Sequence, residues 1–170
     1  MYASILRNMI RKTPFIVLVV LLTSMFLSTA HPAVADQDQV PVSGDVFITF
    51  FTANCPSPVG LCGQGPISGN LLNGNLLGII TSVVPHPNEL DLTASITITT
   101  KNGDLFANAI LIEQLPSELT TATVNITGGT RRYKHTTGVL YFTEPARAVN
   151  GVLHFLYTGF LSKDAERQED

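Results

Sequence analysis

The sequence predicts an all-β domain of about eight short antiparallel strands, and three observations predict it. Beyond the first thirty-five residues, Thr, Val, Ile, Phe and Tyr recur in short runs separated by Gly, Asn and Pro, and helical periodicity is nearly absent. One run, Leu90 to Thr100, alternates cleanly: Leu92, Ala94, Ile96 and Ile98 share one side, and Thr93, Ser95, Thr97 and Thr99 share the other. That is the pattern of a strand with one face on a core and one on water. Turn signals at Asn73-Gly74, Lys101-Asn102-Gly103-Asp104 and Asn150-Gly151 fall at hairpin spacing, so sequential strands are expected to pair without crossover helices. Pattern alone leaves two architectures open, a closed barrel without edges and a β-sandwich.

Residues 1–35 have the layout of a secretory signal peptide and are set apart from the fold. Arg7, Arg11 and Lys12 form the basic start, Phe15 to Leu27 the apolar segment, and Ala33-Val34-Ala35 a small-x-small cleavage site. The apolar run is shorter than the roughly 18 residues wanted for a membrane span and has Thr23 and Ser24 inside it. A secreted protein, extracellular or periplasmic and with no membrane segment in its mature form, is therefore expected. Residues 36–162 then make one domain, and the charged end 163–170 reads as a flexible tail. Three of the ten basic residues and none of the thirteen acidic ones lie in the leader, leaving the mature chain near −6. So acidic a chain lacks the basic field that nucleic-acid binding requires.

In chain order, Val46 to Thr52 is the first expected strand, apolar on both faces through Val46, Ile48 and Phe50 and through Phe47 and Phe51. Cys55 and Cys62 follow. In an oxidising compartment this pair is most simply a disulfide closing a small, proline-stiffened loop, a local hairpin or lid. The spacing is not Cys-x-x-Cys and no His is close, so a redox pair or zinc set is the weaker alternative. Pro66 to Leu72 and Leu76 to Val84 are strands joined at Asn73-Gly74, and Pro85-His86-Pro87-Asn88 stops the pairing. Leu90 to Thr100, Leu105 to Ile112, Leu119 to Thr127, Gly138 to Thr143 and Gly151 to Leu161 complete the set. Gly128-Gly129 reads as a sharp change of direction.

The stretch from Ile126 to Gly138, reading Ile-Thr-Gly-Gly-Thr-Arg-Arg-Tyr-Lys-His-Thr-Thr-Gly, resembles the motif of the allene oxide cyclase and dirigent barrel superfamily. It is closest in look to small secreted bacterial proteins that share the motif. The match is sharp over about a dozen residues and elsewhere a matter of layout. The resemblance implies an eight-stranded up-and-down barrel and, by analogy with plant members, a homo-oligomer such as a trimer. The chain departs from the motif at Arg131, where a third glycine is usual, and at Lys134-His135, where small residues are usual. Arg131 is therefore expected to occupy a strained or reshaped backbone position. None of the catalytic residues of the plant cyclases maps onto this chain.

Candidate site residues come from side-chain chemistry alone. Arg132 belongs to the basic cluster Arg131, Arg132, Lys134 and His135, which can bind an anionic group or simply order the turn. His154 shares a strand face with Val152, Leu156 and Phe160, so it is expected to point into an apolar interior, where a carboxylate such as Glu113 or Glu144 beside it would make an acid–base pair. Glu113, Tyr141 and His154 are the polar groups nominated for a cavity. Phe47, Phe51, Phe155 and Tyr157 are expected to lie opposite the core series and face outward, as a subunit interface, unless they line a ligand cavity or form the second half of a sandwich core. No Gly-x-Ser-x-Gly elbow and no glycine-rich phosphate loop opening a helix occurs, and no metal or cofactor is expected. The reading is a secreted, non-catalytic barrel that binds a small apolar ligand or serves as a scaffold. The alternatives are a cyclase- or isomerase-like enzyme steering substrate conformation, and a surface or matrix structural protein.

Overall fold

Eight strands follow one another in chain order around a closed barrel, each antiparallel to the next, and the first hydrogen-bonds to the last. The computed structural model describes residues 39–146 and 148–162. The strands are β1 (Gln39–Phe51), β2 (Cys62–Gly69), β3 (Gly74–Pro85), β4 (Glu89–Thr100), β5 (Gly103–Gln114), β6 (Leu119–Gly129), β7 (Gly138–Thr143) and β8 (Val152–Ser162). Closure decides between barrel and sandwich: no edge remains where β1 meets β8 over Gln39–Thr49. The signal peptide assigned to 1–35 and the tail 163–170 lie outside the described residues. Among the described residues, no helix is long and apolar enough to cross a membrane.

The interior is built by the period of two. β4 buries Leu92, Ala94, Ile96 and Ile98, and β5 meets it with Leu105, Ala107 and Ala109. Ala122, Val124 and Ile126 of β6 and Leu140 and Phe142 of β7 continue the same surface. Phe155 and Tyr157 of β8 are buried here, which corrects their expected outward placement. Their rings pack on Phe142, with centroids 6.2 and 5.7 Å away. Phe47 does face outward, 42% exposed.

β1 starts seven residues earlier than its apolar run suggests. Its first half pairs with β8 alone, so Pro41 withholds no bond from a second neighbour. There the Asn70 side chain takes the place of a strand, accepting from the Ser43 N–H (3.0 Å) and donating to the Pro41 carbonyl (3.0 Å). The expected two-residue turn at Asn73-Gly74 is instead a connection of residues 70–73, with Gly74 already in β3. Asn73 bonds through its side chain to the Gly69 carbonyl (3.1 Å), and Leu72 turns inward and is fully buried. The other two hairpin signals hold. Thr100 pairs with Gly103 around Lys101-Asn102, and Asn150 (φ 54°) with Gly151 (φ 76°) forms a turn of the left-handed kind.

Gly128-Gly129 does not reverse the chain. It continues β6 through a bulge opposite Phe106/Ala107, and the reversal is made by a 3-10 turn at Arg131–Tyr133. Gly129 is required by close approach, since a Cβ there would lie 2.1 Å from the Asp104 carbonyl oxygen. Thr130 extends the contact by donating its N–H to that same oxygen (2.8 Å) and accepting the Asp104 N–H on its hydroxyl (2.9 Å). Buried Tyr133 and Thr136 then close this end of the barrel together with Leu72. Arg131 takes φ 50°, the left-handed conformation that its glycine-like position anticipates. A non-glycine residue there costs roughly 1–2 kcal/mol, partly offset by the greater unfolded-state entropy of glycine. Arg131→Gly is thus expected to stabilise the protein by about 0.5–1 kcal/mol, read as a raised urea midpoint with an unchanged slope.

Candidate functional site: an apolar cavity under a carboxyl-bearing rim

At the end opposite the 3-10 turn, the barrel encloses a cavity of about 70 Å³. Its origin is visible in the sequence of inward positions. Gly63 on β2, Gly78 on β3, Ala94 on β4 and Ala122 on β6 present little or no side chain where their neighbours present Ile80, Leu111, Phe142 and Phe155. Phe50 and Gly63, which flank the Cys55–Cys62 loop, also line it. The disulfide is formed, with Cα atoms 5.7 Å apart. The loop is tied to β3 beside the cavity: the Ser57 hydroxyl donates to the Ile80 carbonyl, and the Ile80 N–H donates to the Leu61 carbonyl (3.1 Å).

The polar part of the site is one short row on β5, β6 and the end of β7. Glu113 pairs directly with Thr120 across the β5–β6 ladder, and both line the cavity. Glu144 is two residues beyond Phe142 and continues the inward face of β7. It is 3% exposed. Its N–H donates to the Thr120 carbonyl (3.0 Å), and its Oε2 accepts the Thr120 N–H (3.0 Å). Its Oε1 is buried and has no hydrogen-bond partner among the described residues.

Burial therefore raises the Glu144 pKa above its ordinary value of 4.5; the Thr120 hydrogen bonds oppose the rise, and the negative charge of Glu113 adds to it. A carboxyl whose folded pKa is raised favours the folded state fully below its unfolded pKa and loses that contribution as pH climbs through the folded value. Glu144→Gln keeps an acceptor for Thr120 and removes the ionisation. Its stability relative to wild type is expected to improve between pH 4 and pH 7, as read by urea unfolding at the two pH values.

The nominated residues separate. Glu113 is at the cavity. Tyr141 faces outward from β7, 53% exposed. His154 also faces outward, against expectation: its Nε2 lies 2.7 Å from Asp45 Oδ1, and its ring stacks on Phe47 at 4.5 Å. Neither Glu113 nor Glu144 is its partner. Arg132 is in the 3-10 turn at the closed end. Sequence reasoning did not nominate Thr120, and it named Glu144 only as a partner for His154. The signal was the parity Leu140, Phe142, Glu144, which carries an acid onto an apolar face.

Among the described residues, no group of three or more His, Cys, Asp or Glu is arranged to hold a metal ion. The arrangement suits holding a slender apolar group against the barrel wall, with a hydrogen-bonding group at two carboxyls on the rim. Compared with known proteins, the chain matches no family model, no curated protein and no solved structure.

Proposed function

We propose that this protein is a secreted β-barrel of the allene oxide cyclase/dirigent-like kind that binds a small, mainly apolar molecule at the disulfide-bearing end. The observation that carries the reading is the cavity of about 70 Å³, walled mainly by apolar side chains. Size limits the guest. A cavity of roughly 150 Å³ is known to accept benzene, so half that volume suits a short aliphatic chain better than a ring system. The Ile126 to Gly138 motif, with Arg131 in a glycine-type conformation, supports the family assignment, and the leader sequence and disulfide support export.

Titration with 1-pentanol tests the reading. Saturable methyl chemical-shift changes at Ala94, Ala122 and Val124 are expected, and Ala122→Leu, which fills the space, should abolish them without lowering the melting temperature. No shifts at these methyls at millimolar alcohol would refute it.

A second reading, a cyclase- or isomerase-like enzyme, is favoured by one observation: a carboxyl with a raised pKa, Glu144, hydrogen-bonded to the cavity-lining Thr120. It predicts turnover of a bound flexible substrate that falls at least ~100-fold in Glu144→Gln, within the range of general acid–base effects. The expected self-association is supported by the exterior band of Tyr141, Leu156 and Phe160, which is exposed on β7 and β8. Sedimentation at micromolar concentration reads it, and Phe160→Ser should shift the protein toward monomer.

A further inference from the structure

Resting on the binding reading above, we propose that the ligand is cationic: a short aliphatic primary amine whose ammonium group sits between Glu113 and Glu144 while its chain occupies the cavity.

The geometry supplies two carboxyl acceptors at the place where a head group would come to rest, and the one side-chain donor in the row, the Thr120 hydroxyl, is turned to Glu144. Glu113 and Thr120 line the cavity as a cross-strand pair, and Glu144 is held one strand further on through both of its Thr120 hydrogen bonds. That leaves Glu144 Oε1, buried and without a partner among the described residues, as an acceptor for a donor that a ligand brings. A buried unsatisfied carboxyl oxygen is costly, and a group that donates to it recovers that cost on binding. An alcohol brings one proton to this row. An ammonium brings three together with a charge opposite to both carboxylates.

The charge distribution points the same way. Lys101, Arg131, Arg132 and Lys134, the lysines and arginines among the described residues, are all in the β4–β5 and β6–β7 connections at the closed end. Glu89, Asp91, Glu113, Glu118 and Glu144 are at the cavity end. Among the described residues the charges are thus polarised, acidic at the mouth and, Asp104 apart, basic at the closed end, which favours approach of a cation and opposes a carboxylate. Among the described residues, the ionisable side chain facing Glu144 is Glu113; His86, also at this end, is bonded to Asp91 at 3.1 Å.

An ammonium between the two carboxyls favours the ionised form of Glu144, so binding should release a proton from it to the buffer. The experiment compares pentylamine, 1-pentanol and pentanoate by calorimetric titration at several pH values from 4.5 to 7, each in two buffers of different ionisation enthalpy. The expected result is pentylamine at least ~10-fold tighter than the alcohol, as for a charge-assisted against a neutral hydrogen bond, with pentanoate weakest. Proton release should accompany amine binding alone and vanish in Glu144→Gln. Glu113→Gln should weaken the amine ~10-fold more than it weakens the alcohol. Alcohol equal to or tighter than amine, or amine binding with no proton release at any pH from 4.5 to 7, overturns the cationic ligand while the apolar cavity reading stands. Binding of none of the three probes overturns that reading as well.

Discussion

Phe142→Ala is expected to destabilise the protein by about 3–5 kcal/mol, the largest effect of any substitution discussed here. Phe142 is buried, bridges the rings of Phe155 and Tyr157, and forms part of the cavity wall. Its removal deletes a large apolar burial and merges its volume with space that is already empty, so the wall has little to collapse onto. The same change should convert a site for slender chains into one that accepts a ring. Toluene is therefore expected to raise the melting temperature of the Phe142→Ala protein by several degrees and that of wild type hardly at all, because ligand binding to the folded state alone stabilises it. Equal effects of toluene on both proteins would show that Phe142 does not limit the cavity.

Replacing both Cys55 and Cys62 by serine is expected to cost about 2.5 kcal/mol. A bridge across a sequence separation of 7 closes a short loop, and the chain-entropy estimate for a ring of about eight residues gives that figure. The loss should fall on the mouth. With the loop released, the Ser57 and Leu61 contacts to Ile80 hold it less firmly, and Phe50 and Gly63 at its two ends line the cavity. Hydrogen exchange of the Ile80 amide, which bonds to the Leu61 carbonyl, is the local readout. It should accelerate more than that of amides in the β4–β5 ladder, such as those of Ile96 and Ala107.

The strand set was legible in the sequence because β4 and β6 carry a clean period of two, and because the Asn-Gly pairs at 102–103 and 150–151 mark the two tight hairpins. The closed barrel was not legible in the alternation, which fits either closure or a second sheet; the motif resemblance at Ile126 to Gly138 was what pointed to the eight-stranded barrel that is found. The inward face of β8 was lost for a related reason. Val152, His154, Leu156 and Phe160 are as apolar as Leu153, Phe155, Tyr157 and Leu161, so alternation offers no choice between them. The ladder to β1 settles it, pairing Phe155 with buried Val46 and His154 with exposed Phe47. His154 thereby moves to the exterior with Asp45.

Asn73-Gly74 misled because Asn73 uses its side chain on Gly69 instead of adopting a two-residue turn, which frees Leu72 to fill the barrel end. Of the candidate site, Glu113 was found and Thr120 was not, because a threonine in a strand carries no chemical signal until its cross-strand partners are known. The Ile126 to Gly138 stretch turned out to be architectural: its glycine and threonine bind β6 to Asp104, and its tyrosine plugs the end remote from the cavity.

Ligand binding requires an accessible, apolar, unfilled space beside Glu113 and Thr120. Crystals of the protein exposed to pressurised xenon test it most directly, since xenon enters dry apolar cavities without requiring a polar partner. A xenon peak bounded by Ala94, Leu111, Ala122 and Phe142, and absent from Ala122→Leu crystals, is the predicted result. Side chains packed through that volume with no xenon in it would contradict the account.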